Sequence, residues 1–363
     1  MNIPMVDLKG QYETLKPEID SAILQALAET RYILGPNVQA FDEEAAKYLG
    51  VKHAISCASG TDALHLAMLA AGIQAGDEII TSAFTFIATA EAIRYLGAVP
   101  VFVDIEAHSF NIDAEKIRAA ITPRTRAILP VHLFGQAADM EEIMALADEF
   151  GLLVIEDCAQ SFGSRYRGKM TGGFGSVGAF SFFPSKNLGC YGDGGMITTD
   201  DDEIAAQIKM LRNHGSSQQY HHDVIGYNSR LDELQAVILR IKLKYIDDYN
   251  RRRLRVAEQY NRLLADSRFT TPAIAADRDH VFHQYTLLGD GRDAVREAVL
   301  ARDIACAVYY PIPLHQQKAF ADTAQPELPV TEACARRCLS FPIFPEMSAQ
   351  QVESVCEAIL DAG

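Results

Sequence analysis

A chain of 363 residues, 48% of them hydrophobic, has ample material for a sizeable core and for two unequal domains. A formal charge of -15 and an isoelectric point near 5.1 argue against a general binder of nucleic acid or membrane surfaces, because both are polyanions. The opening MNIPMVDLKGQYETLK has no apolar core of signal-peptide length and no later run is long enough to span a bilayer, which predicts a cytoplasmic protein without a membrane partner.

Along the chain, SCASGTDALHLAMLAAG reads as a Ser/Gly/Thr turn opening into a helix that is apolar nearly all round and therefore buried. Its first turn offers unpaired N–H groups, and the helix dipole favours an anion there. Gly60 permits close backbone approach and Thr61 adds a hydroxyl, although an ordinary N-cap by Ser59, Thr61 or Asp62 explains this segment equally well when it is taken alone. The β-rich runs DEIITSAFTF, VPVFVDI, TRAILPVHLFG, GLLVIEDCAQ and GSVGAFSFF follow, separated by helical patterns. Strands apolar on both faces that alternate with helices indicate a mostly parallel sheet covered on both sides. Ligands of such sheets gather beyond the carboxyl ends of the strands.

Two of those strand ends carry reactive groups. LLVIEDCAQ closes on two acids, of which Asp157 either caps the next helix or faces a heteroaromatic nitrogen and keeps it protonated. Gln160, one turn on, could bond a phenolic oxygen of the same ring. In SFFPSKNLGCYGDGG, Ser181 ends a strand and Lys186 sits in a glycine-rich loop. Alone, that lysine is surface decoration. Beside an anion-binding turn and a strand-end acid, its amine becomes a candidate nucleophile, provided its pKa is lowered. Phosphate anchor, acid and lysine are together the parts of a pyridoxal phosphate (PLP) site. Neither G-x-G-x-x-G between strand and helix nor G-x-x-x-x-G-K-[ST] is present, which weakens dinucleotide and nucleoside-triphosphate readings.

From Leu231 to about Ala265 the pattern predicts one long amphipathic segment, without proline or glycine, that links a large domain (1-245) to a smaller C-terminal α+β domain (246-363). VFHQYTLLGD, REAVLARD, CAVYYPIPLHQQ and a closing helix fill the latter. The seven cysteines, scattered through apolar contexts, read as buried free thiols. Cys334 and Cys338, four apart on an expected helix, lack two further metal ligands, and so does the His pair of QQYHHD.

The ordered motifs VDLKGQY, YILGPNVQAFDEEAAKYLGV, SGTDALHLA, AFTFIATAEAI, VIEDCAQSFGSRYRGK, SFFPSKNLGCYGDGGMITT, GYNSRLDELQAVIL and YYPIPLHQQ resemble those of the DegT/StrS-type sugar aminotransferases, fold-type I PLP enzymes, over nearly the whole chain. The resemblance implies a mostly parallel central α/β sheet with helices on both sides. It implies that Lys186 joins the cofactor covalently and later shuttles protons, that Asp157 pairs with the pyridine nitrogen and that Gln160 meets O3′. Gly60, Thr61 and Ser181 would hold the phosphate, and Phe86, rather than Phe84, would stack on the ring. Asn228 would reach the phosphate of a neighbouring subunit, which implies a homodimer with shared active sites, although GYNSR is equally a turn capping the next helix. NSRLDELQAVILRIKL and YPIPLHQQ are similar to the subgroup that aminates the 3-keto group of UDP- or dTDP-linked hexoses from L-glutamate, a step of surface polysaccharide (lipopolysaccharide, O-antigen) synthesis. Sugar-nucleotide contacts are expected from His214, Arg230, Tyr310 and His315, and from Tyr309, where close relatives carry histidine. A 4-keto aminotransferase is the nearest alternative. A sugar dehydratase of this fold carries histidine at the lysine position, and a PLP-binding regulator would need a DNA-binding domain for which this acidic chain has no room.

Overall fold

The computed structural model describes residues 2–362. Seven strands build the central sheet: β1 (His53–Cys57), β2 (Glu78–Ser82), β3 (Val99–Val103), β4 (Thr125–Leu129), β5 (Leu153–Asp157), β6 (Val177–Ser181) and β7 (Gly195–Thr199). Their order is β1-β7-β6-β5-β4-β2-β3, and every neighbouring pair is parallel except the two made by β7, which runs against β6 and β1. The five strands expected from the apolar runs all form. β1 and the reversed β7 were not foreseen.

Register places the site. Asp157 pairs with Ala179, so the carboxyl ends of β5 and β6 lie side by side. Gly195, the first residue of β7, faces Ser181 on one side and Cys57 on the other. The turn after Cys57 therefore leads into the helix Gly60–Ala70 directly beside the end of β6. That helix is buried nearly all round, as its composition requires, and packs between the sheet and the helices Ala88–Tyr95 and Asp202–Leu211. It is capped by Ser59, whose side chain accepts from Asp62 N at 3.1 Å.

A second core gathers Tyr260, Phe282, Tyr285, Phe341, Val352 and Ile359 around an antiparallel strand pair, Tyr285–Leu288 with Cys338–Phe341; Ile3 from the start of the chain joins it. The long segment between the two cores is two helices, Glu233–Leu243 and Ile246–Leu263, rather than one. The break lies at Lys244–Tyr245, where the chain passes from one core towards the other. The first helix buries Ala236, Leu239 and Leu243 in a cluster of the large core; after the break the second adds Ile246 to that cluster and then carries Val256, Ala257 and Tyr260 into the small core. All seven cysteines are free, six buried and Cys306 half-buried. Cys334 and Cys338 do not share a helix: Cys334 lies on Pro329–Arg337, and Cys338 opens the strand that follows. Among the described residues no helix is long and apolar enough to cross a membrane.

Candidate active site

Beyond the carboxyl ends of β5 and β6 lies a cavity of about 540 Å³. One end of it is a cup of backbone. A Cβ at Gly60 would lie 2.5 Å from Ser181 Cβ, and one at Gly195 would collide with the Ser59 carbonyl, so both glycines are required for the helix start to sit against β6. The first N–H groups of an eleven-residue helix then open onto the cavity beside Thr61 and Ser181. Ser181 Oγ accepts from Phe183 N at 3.3 Å, which leaves its hydrogen free to donate. Ser229 Oγ donates to Asp62 Oδ2 at 2.6 Å and tethers the 228–230 segment to this helix. The cup suits a phosphate group.

Asp157 is buried in the middle of the cavity floor. Oδ2 accepts from Thr89 Oγ1 at 2.8 Å and Oδ1 from Ala159 N at 3.1 Å. Thr89 in turn lies 3.0 Å from Thr85 Oγ1. Burial pushes the carboxyl above its usual pKa, against those two hydrogen bonds and the charge of Lys186. An apposed cation such as a protonated ring nitrogen would settle its charge. Lys186 touches the cavity along part of its length, and the protein packed around its amine draws its pKa down to about 8 by desolvation, with Asp157 opposing the shift. Burial, rather than a neighbouring cation, is what lowers it.

Gln160 has a determined orientation. Its Oε1 accepts from Phe134 N at 2.8 Å, so its Nε2 is the donor, bonded at 3.1 Å to the Tyr310 hydroxyl. A phenolic oxygen within the cavity would meet that donor. Of the two aromatic candidates, Phe84 is buried and stacked on Phe110, whereas Phe86 is 56% exposed and lines the cavity. Tyr309 and Tyr310 form part of the wall.

His214, Asn228, Arg230 and His315 do not line this cavity. Asn228 and His214 are exposed, Asn228 bridging Asn213, to which Arg230 Nη1 donates at 3.0 Å. They flank the hairpin Ser216–Gln218/His221–His222 with exposed Tyr220 and Ile225. His315 is buried, its Nε2 3.3 Å from Glu332, so it contributes to packing rather than to the cavity wall. Sequence reasoning missed Thr89, Phe183, Asp193, His283 and Gln284, which all line the cavity. Thr89 stood inside the quoted AFTFIATAEAI and His283 inside VFHQYTLLGD, but neither segment showed which side chain turns inward.

A family model described as the DegT/DnrJ/EryC1/StrS aminotransferase family matches residues 13–360. A UDP-N-acetyl-3-dehydro-alpha-D-glucosamine 3-aminotransferase of Acidithiobacillus ferrooxidans is 52% identical over 357 residues, covering 98% of this chain and 97% of its own. Among solved structures, S. venezuelae DesV in complex with a ketimine intermediate superposes with a TM-score of 0.97 at 45% identity, over 99% of this chain and 98% of that one. NtdA of Bacillus subtilis, with bound cofactor PMP, superposes at 0.93 with 32% identity, over 99% and 85%.

Proposed function

The chain belongs to the DegT/DnrJ/EryC1/StrS aminotransferase family, and from that premise we propose that it is a PLP-dependent transaminase that moves an amino group from L-glutamate to the 3-keto group of a UDP- or dTDP-linked hexose. The observation that carries this reading is the convergence of Lys186, Asp157 and the Gly60–Thr61–Ser181 cup on one cavity. The product would be a 3-amino sugar nucleotide for surface polysaccharide, made in the cytoplasm.

The residues fit the cofactor. The cup would take the phosphate, the Asp157 carboxylate the ring nitrogen, Gln160 Nε2 the phenolic oxygen, and Phe86 would cover an open face of the ring. When bound, pyridoxal phosphate supplies an aldehyde that exchanges amines and a ring that accepts the electrons left at the α-carbon. Asp157 would keep the ring nitrogen protonated, and its burial makes that charge pair strong. Lys186 Nζ would take the proton from the α-carbon of glutamate and return one at C3 of the sugar. Burial lowers the pKa of this amine and so brings its neutral form closer to neutral pH than that of an ordinary lysine. Tyr309 and Tyr310 would face the sugar.

The placement of the remaining residues supports a homodimer. His214 and Asn228 are exposed beside a hairpin and, with the half-buried Arg230, do not line their own cavity, which leaves them for a second copy to receive. The break between the helices Glu233–Leu243 and Ile246–Leu263 supports a division of the chain into parts 1-245 and 246-363.

Two measurements test the function. L-Glutamate added to the yellow PLP-loaded protein should bleach its visible band, and NMR of the product should place the new nitrogen on C3. Nitrogen on C4 would replace the 3-keto assignment, and an unbleached band would remove the aminotransferase reading.

A further inference from the structure

The loop after β6 is a knot of backbone. Phe182 N donates to Gly194 O at 2.8 Å and Cys190 N to Phe182 O at 2.9 Å, while Lys186 N closes a turn on Phe183 O at 2.8 Å. A Cβ at Gly189 would run into the Pro184 carbonyl. Neighbouring elements fasten this knot. Asn187 Nδ2 donates to Asn250 Oδ1 and to Val281 O, both at 2.8 Å, and Tyr191 N donates to Gln235 Oε1 at 2.8 Å. A further tie is Lys242, on the helix Glu233–Leu243. Its Nζ donates to Gly189 O at 2.7 Å and lies 4.3 Å from the centroid of the Tyr191 ring.

Lys242 is 1% exposed, and no carboxylate of the described residues lies within ion-pairing distance of it. An ammonium removed from water without a counter-charge is destabilising by several kcal/mol, and burial accordingly draws its pKa down to about 8. Methionine would fill the same space without that penalty. It would, however, leave the buried Gly189 carbonyl without its donor, so the two costs offset and stability gives little net reason for a lysine here. What the ammonium touches does: a carbonyl and a ring in the same short loop as Lys186.

We propose that Lys242 is a positioning residue for Lys186: by gripping the Gly189 carbonyl and the Tyr191 ring, it keeps the loop in the shape that presents the Lys186 amine to the cavity. The inference rests on Lys186 being the reactive amine. Lys242 itself does not line the cavity and acts through the loop.

The test uses the full chain freed of cofactor. Pyridoxal phosphate is added, borohydride fixes the C=N link that forms as amine and aldehyde lose water, and digestion locates the tag at timed intervals. In the unaltered chain the tag appears on Lys186. In Lys242→Met its appearance slows about tenfold and spreads to other lysines, as expected for a misplaced nucleophile, while the thermal midpoint changes little, because relief of the buried charge offsets the unpaired Gly189 carbonyl. Lys242→Arg, which keeps a cation, recovers part of the rate. Tagging of Lys242→Met at the original rate overturns the proposal, as does slowing only in proportion to lost folded protein. Should Lys242→Met not fold, Tyr191→Leu decides: it leaves the bond to Gly189 and removes the ring, slowing the tag about threefold, and an unchanged rate refutes the role. An unaltered chain that takes no tag at Lys186 overturns the reading of Lys186 beneath it. A tag there with indifferent Lys242 variants overturns this proposal alone.

Discussion

Glu156 and Asp157 are consecutive, both buried and both acidic, yet β5 turns them to opposite faces of the sheet and they live in different electrostatic settings. On one face, Glu156 accepts from His132 Nε2 at 3.0 Å and from Gly172, Phe174 and Gly175 N at 2.8, 2.7 and 2.9 Å. His132 Nδ1 accepts from Ala138 N at 3.1 Å, so the ring proton sits on Nε2 and is donated to the glutamate. Burial would raise the Glu156 pKa, but these donors outweigh it and hold the group below its usual value. On the other face, Asp157 receives two hydrogen bonds, keeps spare acceptor capacity towards the cavity and has a raised pKa. A buried carboxylate whose lone pairs are all engaged belongs to the scaffold. One left short faces a ligand.

That contrast can be broken at several points. The largest effect is expected at the amine both chemical roles depend on: Lys186→Ala should lower turnover by roughly 10⁴ or more while the fold stays intact, read as single-turnover bleaching with glutamate alongside circular dichroism. Near-normal turnover would end the mechanism. Asp157→Asn should still bind cofactor but slow proton removal by about 10²–10³, the loss typical of one preorganised electrostatic group. Glu156→Gln should do the reverse. Its amide cannot serve four donors, so stability falls by about 3 kcal/mol, measured by denaturant unfolding, while the folded fraction keeps most of its activity. If the two substitutions exchange these phenotypes, the assignment of the two faces is wrong.

The same pair marks what could be read from the chain before folding. That VIED ends a buried strand was legible, because β-branched residues between glycine and a helix pattern permit little else. Alternation also predicts that its two acids diverge. Nothing in the sequence, however, says that residues 172–175 return to engage Glu156, a contact made only by the tertiary fold. β7 escaped notice because GGMITT reads as the tail of a glycine loop, and its reversed direction has no local signature. The break at Lys244–Tyr245 carries no glycine or proline and so left no mark in the sequence. In ILRIKL, Lys242 resembles any lysine on a solvated helix face, and only the loop folded over it shows otherwise. The site was legible where chemistry demands a residue type at a strand end, as at Asp157, Ser181 and Lys186. It was opaque where a neutral side chain supports another, as at Thr89.

Thr89 therefore offers a finer test of the ligand-facing side. Thr89→Val keeps the shape but removes one of the two hydrogen bonds to Asp157, raising the carboxyl pKa further. A loss of about tenfold in the glutamate half-reaction is expected, recovered by Thr89→Ser. A loss that serine does not recover would mean that Thr89 serves packing instead.

The smallest effect is on pH, and its sign is the most exacting check of the coupling between Asp157 and Lys186. In the cofactor-free chain, labelling of Lys186 by an amine-reactive reagent should rise through a midpoint near 8 and level off above it, since only the neutral amine reacts. Burial depresses the Lys186 pKa and the negative charge of Asp157 partly restores it, so Asp157→Asn should move the midpoint below 8 and Glu156→Gln should leave it in place. An upward shift in Asp157→Asn would mean that the aspartate does not act on the lysine through its charge, and the electrostatic link across the cavity would have to be abandoned.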